Sequence, residues 1–299
     1  MSSDAPESFG MLRVQARACA EAGDFVGALD LLDRARAQAA AAGDVDQIDL
    51  ATSFRAAILI EQDQGDAEAP RLREILLRSE HAESCHFAAY NLARFHELRK
   101  DFRKALFYAR IARDRAELTG QDEWVGWCHN LIGNSLLAQG FVTEATGEYE
   151  RALALVPSRP DAARARVLDN LGYCRVLAGR MQDGFRLLHE SLRTLIRMQR
   201  PGYEVSSRLD LCFAHLEAGR YRQALRHGQG ALRVARQVGD GEAEKNALYL
   251  IGVAAGHLGD EGLAGASYRR LQESFFPEQS FLSGFLASVD VRALVNLHA

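Results

Sequence analysis

The chain has 299 residues, 47% of them hydrophobic and 25% charged, the make-up of a folded chain and not of a disordered one. Its formal net charge of -4 weighs against a surface built to neutralise nucleic-acid phosphates. No window approaches about 18 uncharged apolar residues, so no membrane span is expected, and the polar Met1–Glu7 lacks the basic and apolar regions of a secretory leader.

Taken in chain order, the sequence repeats itself. Ala16 is followed seven residues later by Gly23-Asp24-Phe25, then by Ala28, Leu32 and Ala35. A weaker copy has Ile58, Gly65-Asp66, Ala69 and Leu72. Ala93 leads to Lys100-Asp101-Phe102, Ala105, Ala109 and Ala112. The clearest unit runs Asn130-Leu131-Ile132-Gly133, Gly140-Phe141, Ala145, Tyr149, Ala152 and stops at Pro157. Three more follow: Asn170-Leu171-Gly172 with Gly179, Gly184, Leu188 and Ser191; Leu211-Cys212 with Gly219, Tyr221, Ala224, Gly228 and Ala231; Ile251-Gly252 with Gly259, Ala264, Tyr268, Leu271 and Pro277. The count is seven copies.

Each copy reads as a helical hairpin. Apolar residues at three- and four-residue spacing give each helix one stripe to bury. The glycine between them suits a left-handed helix ending, and Asp24, Asp66 or Asp260 can cap the second helix. Small residues where the helices cross let the axes approach closely. A hairpin alone cannot cover both faces, so the copies are expected to stack.

This joint pattern resembles the tetratricopeptide repeat: Asn-Leu-x-Gly, an interhelical glycine, an alanine twelve residues after the first small residue, an aromatic or leucine four later, an alanine three after that, and a terminal proline. Residues 123–157 carry nearly all of it, and the resemblance covers about 8–277. The period here is near 40, against ~34 in the standard unit, which is similar to the extended repeats of kinesin light chains and many bacterial regulators. HEAT or armadillo units, of ~40–47 residues, rank second because they lack this glycine and alanine phasing. The resemblance implies an all-α fold, a right-handed solenoid of about seven hairpins over residues 8–277. Residues 1–7 are expected as a disordered tail and 278–299 as one capping helix carrying Phe281, Leu282, Phe285, Leu286, Val289 and Leu294. Its aromatic character allows a second use of Phe275, Phe276, Phe281 and Phe285 in self-association.

No phosphate loop, dinucleotide fingerprint, zinc-protease helix or nucleophile elbow stands in the sequence, and the chain is expected to be non-catalytic, with no cofactor. His81, Cys85 and His86 are the one local cluster of metal-ligand types. With no fourth ligand they read as a linker histidine, a core cysteine and a surface histidine, and no metal is expected. Five widely spaced cysteines without Cys-x-x-Cys fit a reducing cytoplasm.

The first helices carry the candidate site. Asn91, Asn170 and Asp210 each precede a small packing residue by two positions; Asn130 is one residue out of that register, with Asn134 a turn beyond it. Similar proteins line their concave groove with first-helix residues, and asparagines there hold a peptide main chain, since a carboxamide offers donors and an acceptor. Arg94, Trp127, Tyr173 and Phe213 add a mixed aromatic and polar lining. The same amides could instead bridge adjacent helices. The lysines of the carboxylate clamp in chaperone-binding relatives are missing. The expected role is a protein- or peptide-binding adaptor or assembly scaffold. The alternative is a regulatory sensor of a peptide or small ligand that acts through a partner protein. Membrane and nucleic-acid partners are disfavoured.

Overall fold

Glycine-punctuated, alanine-rich segments of this kind form helices wherever their apolar stripe finds a neighbour, and the computed structural model, which describes residues 7–289, is built of such helices alone. Among the described residues they fall into seven consecutive pairs and a short fifteenth helix. The pairs are α1 (Phe9–Glu21) and α2 (Phe25–Ala42); α3 (Val45–Glu61) and α4 (Glu68–Arg78); α5 (Ala82–Leu98) and α6 (Phe102–Thr119); α7 (Asp122–Ala138) and α8 (Val142–Leu155). They continue with α9 (Ala162–Leu177) and α10 (Met181–Arg197); α11 (Pro201–Glu217) and α12 (Tyr221–Val238); α13 (Gly241–His257) and α14 (Glu261–Phe275); then α15 (Leu282–Ser288). The chain divides into two compact units, Met1–Ser135 and Leu136–Ala299.

One turn recurs in every pair. Seven residues after the small residue of the first helix the backbone turns left-handed, at Gly23, Asp63, Lys100, Gly140, Gly179, Gly219 and Gly259. The next N–H then donates back to the carbonyl five residues earlier, at 2.8–3.0 Å, from Asp24 to Cys19 through to Asp260 to Ala255. This closure satisfies carbonyls that a helix end leaves open.

The turn corrects the phase of the second repeat. Its left-handed residue is Asp63 (φ 57°), not Gly65, so its small packing residue is Ala56, fully buried, and not Ile58. Aspartate tolerates this conformation better than most side chains, and it removes the glycine signal. Counting from Ala56, the place held by Ala28, Ala105, Ala145, Gly184, Ala224 and Ala264 elsewhere belongs to Glu68, only 2% exposed. Its Oε1 accepts from Arg55 at 2.8 Å and from Arg71 at 2.6 Å. Asp66 caps nothing: α4 starts later, after Ala67, and Asp66 pairs with Arg99 at 2.7 Å. Asp24 and Asp260 do cap α2 and α14, accepting from Gly27 and Leu263 N–H at 2.9 Å.

Close approach is clearest in α9–α10, where two glycines face each other. A Cβ on Gly172 would lie 2.9 Å from Leu188 Cγ and 3.2 Å from the Gly184 carbonyl oxygen. At the C-terminus, Phe275, Phe276, Leu282 and Leu286 pack against the core of the last two pairs, while Phe281 and Phe285 stay exposed. The helix expected over 278–299 is shorter: α15 ends at Ser288, where Val289 is extended, and Leu294 lies outside the described residues. Of the expected tail 1–7, only Glu7 is described; it accepts from Gln15 at 3.0 Å and Arg34 at 2.7 Å. Among the described residues no helix is long and apolar enough to cross a membrane.

Candidate functional site

In the unit Met1–Ser135 the first helices α1, α3, α5 and α7 open onto one cavity of about 400 Å³. Helical spacing sets its lining. Arg13, Val14 and Arg17 come from one face of α1; Phe54, Ala57 and Glu61 from one face of α3; Phe87 from α5; Trp124 and Trp127, three residues apart, from α7. Phe87 and Trp127 stand six residues before their small packing residues, and Arg17 and Ala57 one residue after theirs. Seven residues make two helical turns, so these side chains share a face.

The walls are aromatic and fixed by their neighbours. Phe87 makes edge contacts with Phe54, at 4.8 Å between ring centroids, and with Trp124, at 4.9 Å. Trp124 lies flat on His86 at 5.2 Å. His86 is therefore not the surface histidine the sequence pointed to. It is fully buried and donates its Nδ1–H to the Ala112 carbonyl at 3.0 Å, and burial pushes its pKa down to about 4. Tyr90 stands 6.5 Å from Trp127. Charge is confined to paired groups: Arg13 sits 5.4 Å over Phe54 and bonds Glu83 at 3.1 Å, Arg17 bonds Glu21 at 2.9 Å, and Glu61 accepts from Arg94 at 2.9 Å. An apolar pocket with a rim of guanidinium and carboxylate can take a bulky apolar side chain and orient the polar groups flanking it.

Of the residues singled out from the sequence, Trp127 lines this cavity and Arg94 reaches it through Glu61. Asn91 is 3% exposed and donates to the Ser53 carbonyl at 2.7 Å, tying α5 to α3. Asn130 is buried, and Asn134, partly buried, donates to Glu97 at 2.8 Å. Asn170, Tyr173, Asp210 and Phe213 belong to the unit Leu136–Ala299 and are all buried, with the Tyr173 and Phe213 rings 5.4 Å apart. Beside them Asp169 accepts from Ser207 at 2.7 Å, and Ser207 meets Ser191 at 3.0 Å. The sequence reading missed Arg13, Arg17, Phe54, Glu61 and Trp124. Phasing the second repeat on Ala56 would have put Phe54 at the offset of Asn91, and Ala57 at that of Arg94 and Asn134.

No protein-family model matches the chain, and no curated protein does. Solved structures do. A Rap protein complexed with competence and sporulation factor has a TM-score of 0.72 at 10% identity, covering 95% of this chain and 77% of that one. PilW, a type IV pilus biogenesis factor, has 0.59 at 19%, covering 80% and 99%. TPR-like repeats of a Podosopora anserina kinesin light chain have 0.51 at 16%, covering 68% and 99%. The fold is that of tetratricopeptide repeats. Cys212 holds the small-residue position of α11, and Cys174 lies two residues beyond Gly172 in α9. Cys174 and Cys212 are fully buried, and burial pushes both thiols up to about 12, so they serve packing and not reactivity. Among the described residues no three His, Cys, Asp or Glu side chains stand where they could hold a metal ion.

Proposed function

We propose that this protein is a non-catalytic adaptor that holds a protein or peptide segment on the first-helix face of its N-terminal unit, with a bulky apolar side chain of the partner seated in the α1–α3–α5–α7 cavity. The observation that carries the reading is the cavity's lining: Phe54, Phe87, Trp124 and Trp127, contributed by three successive first helices, around about 400 Å³. Tryptophan in a rigid apolar pocket is the side chain most often found at the energetic centre of a protein interface. The Rap protein of similar fold is described in complex with competence and sporulation factor, which supports a ligand-binding use of this fold. All five cysteines are free and four are buried, which agrees with work in the reducing cytoplasm.

The chain's two tryptophans, Trp124 and Trp127, both line the cavity, so their emission reports its occupancy. Peptides selected on the immobilised protein from a random library should carry a large apolar residue and should shift or quench that emission on titration. Selected peptides that bind with an unchanged emission spectrum, and bind Trp127→Ala as well as the parent, would place the binding site elsewhere.

A further inference from the structure

In the unit Leu136–Ala299, α10, α11 and α12 bring three histidines together: His189, His215 and His227. The ring centroids of His215 and His227 are 5.3 Å apart and nearly parallel, and His189 lies 6.3 Å from the first and 6.1 Å from the second. Phe185 packs on His215 at 4.6 Å, and the Arg220 guanidinium sits 5.0 Å above Phe185. His215 is only 5% exposed, and the Nδ1 atoms of His215 and His227 are buried without a protein partner. The charged side chains acting on the rings are Arg193 from α10, Arg208 from α11, Arg220 at the N-cap of α12 and Arg226 within α12, all cations. Arg208 is held by Glu204 at 2.7 Å, and Arg193 by the His189 carbonyl at 3.1 Å.

We propose that these three histidines form an acid-sensitive latch between the fifth and sixth repeats, closing α10 onto the α11–α12 hairpin while neutral and releasing it when protonated. Neutral imidazoles stack and bury at little cost. Three imidazolium ions about 6 Å apart repel one another, and the charged side chains that act on the rings are themselves cations, Arg208 being already paired with Glu204. Burial, and then the neighbouring positive groups, hold His215 and His227 down to about 4, and His189 is lowered in the same direction. A folded-state pKa below the free value of ~6.5 means that the open form binds the proton more tightly. The latch is therefore fully stabilising above pH 6.5 and is lost as pH falls toward 4. For one such imidazole the opening equilibrium at pH 5 shifts by about 30-fold.

Hydrogen exchange read by mass spectrometry at pH 7 and pH 5, corrected for the intrinsic rate, tests the latch on the full chain. Segments 185–197 and 205–236 should lose at least ten-fold of their protection at pH 5. The variant His189→Gln/His215→Gln/His227→Gln should show the same protection at both pH values. Should the triple variant fail to fold, His189→Gln, which changes an exposed ring, should still lessen the acid effect. Proton NMR of the wild-type imidazoles should meanwhile find His215 and His227 neutral at pH 5.5. Rings that titrate near 6.5, or acid-induced exchange that survives the three substitutions, would overturn the proposal.

Discussion

The residue one place beyond the small packing residue is used differently in the two units. In Met1–Ser135 it is Arg17, Ala57, Arg94 and Asn134, none of them fully buried. In Leu136–Ala299 it is Tyr173, Phe213 and Val253, all buried. The backbone register is the same, since the left-handed turn falls at the same offset in both. What differs is the filling. Tyr173 and Phe213 occupy the space on their face with their own rings, whereas in the N-terminal unit Arg17 and Ala57 leave room before Trp124 and Trp127. A repeat fold thus fixes where a side chain points, and side-chain volume decides whether the position becomes core or cavity.

This contrast can be broken by mutation. The largest expected effect is on the filled side: Phe213→Ala should cost about 3–5 kcal/mol of stability in urea unfolding, with partner affinity unchanged in the folded fraction. On the open side, Trp127→Ala should weaken partner binding by roughly 2 kcal/mol, about 30-fold, with a smaller change in stability. If both variants act on stability alone, the cavity is packing and the contrast fails. Gly172→Leu tests the shared register: its side chain would enter the space of Leu188 and the Gly184 carbonyl, and a loss of about 1–3 kcal/mol is expected from the unfolding midpoint. The smallest effect belongs to Asn91→Ala, which strips the Ser53 carbonyl of its donor; stability should fall by ~1 kcal/mol while calorimetric partner affinity holds. A binding loss at Asn91 instead would return the amide to the groove.

Much of this architecture was legible in the sequence because glycine at 23, 140, 179, 219 and 259 has a conformational reason to be there, and the alanines that follow have a steric one. The second repeat was misread where those reasons were met by other residues. Asp63 took the left-handed turn, and Glu68, bonded to Arg55 and Arg71, took the alanine's place. The site was less legible. Spacing places Asn91 on a helix face but does not reveal that its amide reaches the carbonyl of a helix 38 residues earlier in the chain. Trp124 escaped notice because it stands three residues from Trp127, and its flat contact with buried His86 exists only in the folded chain.

The recurring turn also governs how the gene can grow or shrink. Gly179-Arg180 and Gly219-Arg220 are the same dipeptide in the same conformation, each Arg N–H donating at 2.8 Å to the residue five before it. An in-frame deletion or duplication between them joins one turn to its double without a new junction to solve. Loss of residues 180–219 would carry away His189 and His215 and leave His227 alone, so that acid response is gained or lost together with a repeat, in one recombination event.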